Sequence, residues 1–252
     1  MSITDVSGRK AIFTFYNDQI DDKMIFLHHE IVGRMCEEIE GLDFKPYNYR
    51  KPDGEMYPDQ AMDIGFKTLF LEQDYEMVMS LEIDCIPLNK ESLLYAFSKA
   101  KDGIFIGNSQ RSCHIDNNEH MFIPPSMFVM NRDLYEKLER PDFRPTTRGD
   151  IGEECTYQCE ELGLPMEFLM PKTYEREPIG FPWDLGNGRS KYGIGTTYAN
   201  ENGDELFYHL FESRLACWNS YFYDKCEEVK PGILNHLTEE IIRQSNIEFK
   251  EE

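Results

Sequence analysis

The chain has 252 residues, of which 40% are hydrophobic and 29% are charged, so it can fill one packed domain and is not disordered as a whole. Its 26 basic and 47 acidic residues give a formal net charge of −21. A charge this negative argues against a general DNA coat, a polybasic membrane anchor and a ribosomal protein, although it leaves room for a local basic groove.

The cysteines and the apolar runs indicate where the protein works. The chain has 7 cysteines, an odd number, and no CxxC pair, which is typical of neither a disulfide framework nor a zinc ribbon and favours a reducing compartment. Acidic residues interrupt the apolar runs, and the first residues, MSITDVSGRK, are too polar for a signal peptide. We therefore expect a soluble, cytoplasmic protein without a membrane span, in the host cytoplasm if a phage encodes it.

In chain order, the first half alternates between segments with strand and helix patterns. Short runs rich in β-branched and aromatic residues predict strands, and apolar residues along one helical stripe predict helices. The expected strands lie at 10–16, 44–49, 75–86 and 103–109, and the expected helices lie at 22–40, from 58 onward and at 90–100. This alternation favours an α/β fold with a mostly parallel central sheet that is covered by helices on both faces.

The second half is less regular. Residues 176–204 are rich in Gly, Pro, Asn and Asp and are expected to be mainly loop. The other expected elements are strands at 121–131, 165–171 and 206–211, and helices at 132–138, 151–162 and near 213–226. We expect one α/β domain over residues 1–215 and a C-terminal helical extension, residues 216–252, packed on it.

The segment YEMVMSLEIDCIP, residues 75–87, carries two acidic residues where a buried strand should be apolar. Strand alternation would place Glu82 and Asp84 on the same side, at the carboxyl end of the strand, where open α/β sheets bind ligands. Two close carboxylates repel each other unless a cation relieves them, and hard oxygen ligands suit Mg²⁺ or Mn²⁺. The alternative is that both acids are simply exposed at a strand end.

The run MVMSLEIDCIP resembles the metal-binding DxD strand of GT-A-fold nucleotide-sugar glycosyltransferases, with Glu82 in place of the first Asp. Other segments resemble further parts of those enzymes in the expected order. They are AIFTFYND (first strand and nucleotide-contacting turn), DQAMDIGFKTLFLEQ (helix before the acidic strand), FIPPSMFVMNRDLYEKL (following strand and helix), RGDIGEECTYQCEELGLPMEFLMP (acidic helix and strand) and ELFYHLFESR (C-terminal strand). The resemblance covers residues 10–215 and implies a single GT-A-like domain.

The resemblance implies a site for Mn²⁺ or Mg²⁺ made of Asp84, Glu82 and His209. Asp84 is the safer ligand, because the Glu82 replacement leaves open whether that residue contacts the metal or only the donor ribose. His209 shares one strand face with Phe207 and Phe211. From the residues alone, a histidine in such surroundings is more often a packed or surface histidine than a ligand, and the resemblance favours the ligand.

The resemblance also implies donor-binding residues near the first strand and the second helix. Asn17 and Asp18 follow the first strand at the ligand edge of the expected sheet, and Asp63 lies on the helix that leads to the acidic strand. The alternative for all three is ordinary turn or helix-surface chemistry.

Asp150 has two interpretations. It precedes a helical pattern, and Glu153 follows three positions later, which is the spacing of a capping box. The resemblance to inverting GT-A enzymes instead makes Asp150 the general base that deprotonates the acceptor hydroxyl. Glu153 or Glu154 is the alternative base, with Asp150 then serving as the cap. A retaining enzyme needs no such base.

The segment DLGNGRSKYGIG, residues 184–195, contains four glycines and predicts a mobile loop. It is expected to close over the donor diphosphate, with Arg189 or Lys191 facing the phosphates. It lacks the GxxxxGK[ST] pattern and is not a P-loop. Trp183, beside it, either stacks on a sugar or base or is simply packed.

The resemblance implies a glycosyltransferase that transfers a hexosyl or pentosyl group from a nucleotide-sugar donor to a hydroxyl. The acceptor is a glycan, a small molecule or a hydroxymethylated base in phage DNA. Arg140, Arg144 and Arg148 would form a positive rim for DNA, but the net charge opposes this, and the alternative is that these arginines pair with surface acids.

Two other classes of protein are the alternatives. A nucleotidyltransferase on a related sheet should carry a Gly-rich and basic phosphate loop after the first strand, and FYNDQIDDK carries none. A non-catalytic module that binds a sugar or a partner would tolerate loss of the paired acids, which are present.

Overall fold

A computed structural model describes residues 8–17, 19–49, 58–179 and 183–230. The strands are β1 (Lys10–Tyr16), β2 (Leu42–Asn48), β3 (Met77–Leu81), β4 (Cys85–Pro87), β5 (Phe105–Asn108), β6 (Gln110–Arg111), β7 (Met121–Phe122), β8 (Met127–Asn131), β9 (Met166–Arg176), β10 (Trp183–Asp184), β11 (Lys191–Tyr192), β12 (Ile194–Ala199) and β13 (Glu205–His209). The α-helices are α1 (Asp22–Glu37), α2 (Pro58–Lys67), α3 (Lys90–Lys101), α4 (Arg132–Lys137), α5 (Glu153–Leu162) and α6 (Asn219–Val229).

Nine strands form the central sheet in the order β2-β1-β3-β8-β5-β9-β12-β13-β4. Six of them, β1, β2, β3, β5, β9 and β13, run in one direction, and β8, β12 and β4 run in the other. The expected α/β class with a mostly parallel sheet flanked by helices, as in a GT-A-like domain, is therefore confirmed. The three reversed strands lie between or beside the others, so many neighbouring pairs are antiparallel.

Apolar side chains cover both faces of this sheet. On one face, a buried cluster joins the sheet to α1, α3 and α6, and on the other face a second cluster joins it to α2, α4 and α5. Strand alternation produces this division, since Met77 and Met79 of β3 belong to the first cluster while Val78 belongs to the second. A strand that is covered on both faces in this way is mostly apolar, as β3 is apart from the buried Ser80.

Side-chain caps fix where three helices begin. The carboxylate of Asp21 accepts hydrogen bonds from the first turn of α1, and the amide oxygens of Asn89 and Asn131 do the same for α3 and α4. Helix α5 ends at Gly163, whose positive φ of 62° suits the turn that leaves a helix. These local signals explain why the expected helix starts agree closely with the observed ones.

Three expected strands differ from the structure. The strand expected at 75–86 ends at Leu81, and the chain turns before β4 begins. The strand expected at 121–131 is divided into β7 and β8, and β9 extends beyond the expected 165–171 to Arg176. This extra length lets β9 pair with β5 through its first residues and with β12 through its later ones.

The expectation that residues 176–204 are mainly loop is wrong for β12, which is a central strand with all six residues buried. Its sequence, IGTTYA, has a glycine and two threonines and therefore looks exposed. The hydroxyl of Thr196 is satisfied locally, because it donates to the Gly193 carbonyl at 2.7 Å. Such a local bond removes the cost of burying the polar group.

The C-terminal part of the described chain packs on the domain. Helix α6 buries Phe222 and Cys226 in the cluster that it shares with α1 and α3. Residues 231–252 lie outside the described residues, so the division at residue 215 and the helical extension stay a prediction. All seven cysteines are described and unpaired. Among the described residues, no helix is both long and apolar enough to cross a bilayer.

Candidate metal and ligand site

The acidic residues of the central segment lie in a turn and not on a strand. The backbone N–H of Glu82 donates to the Ser126 carbonyl at 3.0 Å, and the N–H of Cys85 donates back to the Glu82 carbonyl at 2.9 Å. Strand alternation was therefore the wrong reason for placing Glu82 and Asp84 together. The turn between β3 and β4 brings them together, at the carboxyl end of β3.

Strand pairing brings His209 to the same turn. Strand β13 runs antiparallel to β4, with His209 opposite Cys85, and the N–H of Leu210 donates to the Asp84 carbonyl at 2.9 Å. As a result, Nε2 of His209 lies 3.4 Å from Oδ1 of Asp84 and 3.7 Å from Oε2 of Glu82. The three residues that the resemblance grouped as metal ligands form one cluster.

This cluster has less hydrogen bonding than its burial requires. Among the described residues, neither Oδ1 of Asp84 nor Nδ1 of His209 has a hydrogen-bond partner, and both atoms are buried. Burial and the neighbouring charge of Asp84 raise the pKa of Glu82, while His209 and Arg214 act in the opposite direction. Groups in this state are stabilised by a bound cation, which supplies both charge and coordination.

The geometry of the cluster fits a divalent cation. One ligand atom from each of Glu82, Asp84 and His209 can be chosen so that all lie within 4.8 Å of one another. Ligands held at about 2.1 Å from a Mg²⁺-sized ion lie within about 4 Å of one another, so a small inward movement of these side chains closes the site. Two carboxylates and one imidazole are donors that both Mg²⁺ and Mn²⁺ accept.

Two adjoining cavities open at the cluster. The larger has a volume of about 300 Å³ and is lined by Ser126, Asp150 and Phe211, among others. The smaller has a volume of about 90 Å³ and is lined by Asn17 and Tyr49, among others. Both cavities share four lining residues, which are Pro58, Glu82, Asp84 and Arg214. The acidic cluster therefore lies at their junction, where one ligand can reach into both.

Asp150 faces the larger cavity. Its Oδ1 accepts a hydrogen bond from the N–H of Ile151 at 2.8 Å, and its Oδ2 lies 3.8 Å from Nε2 of His114. Half of the capping-box interpretation is confirmed, because the Glu153 carboxylate accepts a hydrogen bond from the Asp150 backbone N–H at 2.8 Å. The other half is wrong, because the residue that precedes α5 is Gly152, with a φ of 77°, and no side chain caps the helix. The Asp150 side chain is therefore free of the helix start and has an oxygen available at the cavity.

Glu153 and Glu154 do not line either cavity. Glu153 is fully buried, and its carboxylate is occupied by protein hydrogen-bond donors. Glu154 points away from the cavities and binds the guanidinium of Arg148. The structure therefore leaves Asp150 as the member of the expected acidic group that reaches the ligand space.

The expected donor residues are placed differently from one another. Asn17 lies at the smaller cavity, where its amide donates to the hydroxyl of Tyr49 at 3.2 Å. Asp63 lines neither cavity, and its carboxylate accepts a hydrogen bond from the N–H of Phe143 at 3.1 Å, with a pKa raised mainly by burial. Asp18 lies outside the described residues.

The glycine-rich segment forms a hairpin, with β10 paired to β11. Nη2 of Arg189 donates to the Glu119 carbonyl at 2.7 Å, and Nε donates to the Gly186 carbonyl at 3.0 Å. Neither Arg189 nor the exposed Lys191 lines the two cavities. The expectation that these two cations face the donor phosphates is not met in this conformation, because Arg189 binds the backbone carbonyls of Gly186 and Glu119 and Lys191 lies outside both cavities.

Trp183 belongs to an aromatic group behind the larger cavity. Its ring lies 5.3 Å from that of Phe211 and 5.7 Å from that of Tyr192. Phe211 lines the cavity and Trp183 does not, so the packed interpretation of Trp183 holds. The ring of Phe211 also lies 4.1 Å from that of His209, which it holds against the acidic turn.

The three arginines that were candidates for a DNA-binding rim are paired with acids. Arg140 binds Glu136 on the preceding helix, and Arg144 binds Asp142. The third, Arg148, binds two carboxylates of α5. Pairing with surface acids is therefore the correct interpretation of this cluster.

Arg214 is a site residue that the sequence analysis missed. It is exposed, lines both cavities, and makes no hydrogen bond, ion pair or ring contact among the described residues. Every other described arginine has a carboxylate, carbonyl or aromatic partner. The signal was present in the segment ELFYHLFESR, where Arg214 follows His209 by five positions.

No family model matches the chain, and no curated protein matches it. Among solved structures, the chain is similar to a putative nucleotide-diphospho-sugar transferase from Desulfovibrio desulfuricans, with 9% identity, a TM-score of 0.41, and coverage of 65% of this chain and 80% of that one. It is also similar to a Drosophila β-1,4-galactosyltransferase 7 mutant in complex with manganese, UDP-Gal and xylobiose, with 14% identity, a TM-score of 0.46, and coverage of 80% and 70%.

A third similar structure is a glycosyltransferase involved in the glycosylation of the major capsid of PBCV-1, with 12% identity, a TM-score of 0.43, and coverage of 88% of this chain and 98% of that one. At these identities and scores, what those proteins bind and transfer remains a property of those proteins. The functional argument for this chain therefore rests on its own site.

Proposed function

We propose that the protein is a divalent-metal-dependent glycosyltransferase that moves a sugar from a nucleotide-sugar donor to an acceptor hydroxyl. The observation that carries the proposal is the under-satisfied cluster of Glu82, Asp84 and His209 at the junction of two cavities. A cation there would face a donor on one side and an acceptor on the other. When bound, Mn²⁺ or Mg²⁺ supplies positive charge that stabilises the nucleoside diphosphate as a leaving group.

The smaller cavity takes the nucleotide in this proposal. Asn17 and Tyr49 present an amide and a hydroxyl at its wall, and these groups can hydrogen-bond a ribose or a base. Glu82 lines the same cavity, so its carboxylate serves either the cation or the ribose. Asp18, next to Asn17 in the chain, keeps its expected donor-binding role as part of this proposal.

The larger cavity takes the acceptor. Asp150 accepts the proton of the acceptor hydroxyl at its carboxylate, and removal of that proton raises the nucleophilicity of the oxygen. Phe211 and Phe122 give the cavity apolar wall area, which suits the faces of a sugar ring. The carboxylates of Asp150 and Glu212 lie at this cavity, and the arginines near 140–148 are already paired, so an uncharged glycan or small molecule fits better than DNA.

Arg214 takes the phosphate-binding role that the sequence analysis assigned to Arg189 and Lys191. Arg214 lines both cavities and has no acceptor among the described residues, and guanidinium groups bind phosphate oxygens in a bidentate manner. It also adds a positive charge near Glu82, and this charge acts to lower the pKa of that carboxyl. The diphosphate would therefore lie between the metal ligands and Arg214.

Isothermal calorimetry with the purified chain tests the proposal. Nucleoside diphosphates of each common base are titrated into the protein with and without about 1 mM Mn²⁺, a concentration that should fill a typical metal–nucleotide site. We expect binding of one of them only when Mn²⁺ is present. Incubation with the corresponding nucleotide-sugars and a set of soluble glycans should then release the nucleoside diphosphate and form a glycoside. A chain that binds no nucleotide at any metal concentration is not a transferase of this kind.

The product distinguishes sugar transfer from the alternative classes. A nucleotidyltransferase would join a nucleoside triphosphate to a sugar phosphate, which forms a nucleotide-sugar and releases pyrophosphate. Mass spectrometry distinguishes the nucleotide-sugar from a glycoside. A binding module would retain the nucleotide-sugar without turnover. Either result would replace the proposed reaction while leaving the metal assignment in place.

Arg214→Ala tests the phosphate role. Loss of one charge-assisted contact worth about 1.5–3 kcal/mol weakens nucleoside diphosphate binding about 10–100-fold. The matched control is Arg140→Ala, which removes an exposed arginine paired with Glu136 and should leave the affinity unchanged. Affinity for the nucleoside without phosphates should be equal in both variants. Equal loss for nucleoside and diphosphate would show that Arg214 acts on the cavity shape and not on phosphate.

A further inference from the structure

Glu153 is a buried acid that the proposed reaction does not use. Glu153 is 0% exposed, and its carboxylate takes part in four hydrogen bonds within the protein. Oε1 accepts from the amide of Asn117 at 2.8 Å and is 2.7 Å from Nδ1 of His120. Oε2 accepts from the hydroxyl of Ser112 at 2.9 Å and from the backbone N–H of Asp150 at 2.8 Å. A carboxylate with this many hydrogen-bond donors is fixed in place.

The four donors come from two separate segments. Ser112, Asn117 and His120 belong to the connection between β6 and β7, and Asp150 belongs to the turn before α5. His120 is itself held, because its ring stacks on that of Tyr157 at 3.8 Å. Glu153 therefore ties the connection to the turn through one side chain on the first residue of α5.

The turn before α5 forms part of the wall of the larger cavity, and so do the two strands that flank the β6–β7 connection. Gln110 of β6 and Phe122 of β7 flank the first segment and line the cavity, and Asp150 and Ile151 of the second segment line it as well. The carboxylate of Glu153 lies behind these walls. A change at Glu153 therefore reaches the cavity through the position of Asp150 and not through direct contact with a ligand.

We propose that Glu153 is the positioning residue for Asp150, holding the Asp150 backbone so that the Asp150 carboxylate faces the acceptor hydroxyl. This inference rests on the proposed role of Asp150 as the base. It reverses the sequence-based alternative in which Glu153 is itself the base, because a fully buried carboxylate with four donors can neither reach an acceptor nor take its proton.

The packing around Glu153 offers two independent ways to disturb it. Glu153→Gln keeps the size of the side chain but replaces one carboxylate oxygen with an NH₂ group, which cannot accept a hydrogen bond. The two donors that face this NH₂ group therefore lose their acceptor. Gly149→Ala keeps the carboxylate but displaces it, because a Cβ at residue 149 would lie 3.0 Å from the Cβ of Glu153. Glu161→Gln, an exposed position on the same helix, is the matched control.

The kinetic test uses Asp150→Asn together with these variants. We expect Glu153→Gln and Gly149→Ala to lower kcat about 10–100-fold, with the donor KM and the Mn²⁺–nucleotide affinity unchanged. If Glu153 acts through Asp150, the double variant Asp150→Asn/Glu153→Gln should be no slower than Asp150→Asn alone. Multiplicative losses in the double variant, or a Glu153→Gln enzyme as fast as Glu161→Gln, would overturn the inference.

Hydrogen exchange tests the positioning without relying on turnover. Glu153→Gln and Gly149→Ala should both speed exchange at the backbone amide of Asp150, while exchange at the 82–85 turn stays as in the wild type. A wild-type chain without transfer activity would refute the proposed function, and the exchange at Asp150 would still decide whether Glu153 holds this turn. Unchanged Asp150 exchange in a folded variant of either kind overturns the positioning role.

Discussion

Two acidic sites about the same cavity differ in how their carboxylates are satisfied. Glu153 is fully buried and accepts four hydrogen bonds from two segments of the chain. Asp84 is also buried, but its Oδ1 has no hydrogen-bond partner among the described residues, and Glu82 is its close neighbour. Both sites thus contain a buried carboxylate, but only the carboxylate of Glu153 has hydrogen-bond donors on both of its oxygens.

The difference separates a carboxylate that maintains the fold from one that we propose binds a cation. Hydrogen-bond donors around Glu153 offset the cost of burying its charge, so its removal leaves those donors unsatisfied. At Asp84, Oδ1 has no such donor among the described residues, so a bound cation would offset the cost of burying this carboxylate. Burial and acidity are shared by both sites, and the number of donors tells them apart.

The largest expected effect is the loss of ligand binding when Asp84 is replaced. Asp84→Asn removes a charge from the metal cluster, so we expect metal-dependent binding of the nucleoside diphosphate to fall below detection in calorimetry. The free energy of unfolding should stay the same or rise, since the substitution relieves the repulsion between Asp84 and Glu82. Asp142→Asn, at an exposed position paired with Arg144, is the control. Retained metal-dependent binding would refute the ligand assignment of Asp84.

For Glu153→Ala, we expect the main effect on the free energy of unfolding. Loss of a buried charge that satisfies four donors should lower the free energy of unfolding by about 3–5 kcal/mol, measured by urea denaturation. Glu161→Ala, which removes an exposed carboxylate from the same helix, should change it by less than about 0.5 kcal/mol. A loss below about 1 kcal/mol at Glu153 would mean that the donors find other partners, and the contrast between the two sites would disappear.

Metal addition tests the comparison from the other direction. At a free Mn²⁺ concentration of 100 times the dissociation constant, the folded state gains about 2.7 kcal/mol, which is seen as a higher Tm. The gain should be absent in Asp84→Asn and intact in Glu161→Gln. An equal rise of Tm in Asp84→Asn would place the stabilising metal at a site elsewhere in the chain.

His29 sharpens the comparison, because it is a half-buried titratable group whose Nε2 atom is buried and whose neutral form the fold favours. Its Nε2 has no hydrogen-bond partner among the described residues, and burial lowers its pKa from 6.5 to about 4. Below pH 6.5 the unfolded chain takes up a proton that the folded chain does not, so this contribution to stability is present above pH 6.5 and is lost as the pH falls toward 4.

Between pH 7 and pH 5, the wild type should therefore lose about 2 kcal/mol more of its free energy of unfolding than His29→Phe does. Urea denaturation at the two pH values measures the difference, and the comparison of variants cancels the contribution of other groups such as Glu82. Parallel losses in the two proteins would indicate that His29 is solvated at some point of its titration.

Much of the fold followed from local sequence signals. Strand β1 and the starts of α1 and α3 agree with the expected elements, because apolar periodicity and capping side chains act over a few residues. The central strand β12 did not follow, since its threonines and glycine are accommodated by local hydrogen bonding and by pairing with β9 and β13. Polar residues that tertiary contacts satisfy cannot be distinguished from exposed ones in the sequence.

The sequence by itself determined that Glu82 and Asp84 were residues to consider, because acids at the end of an apolar segment carry a cost that needs an explanation, and the resemblance to GT-A enzymes added His209. Only the tertiary structure decided how they meet: through a turn after β3 and the pairing of β13 with β4, contacts between segments more than 100 positions apart. The tertiary structure also distinguished Asp150, which lines a cavity, from Glu153, which is held by protein donors, and Arg214 from Arg189 in the same way. Residues with the same charged group differ only in the partners that the fold brings to them.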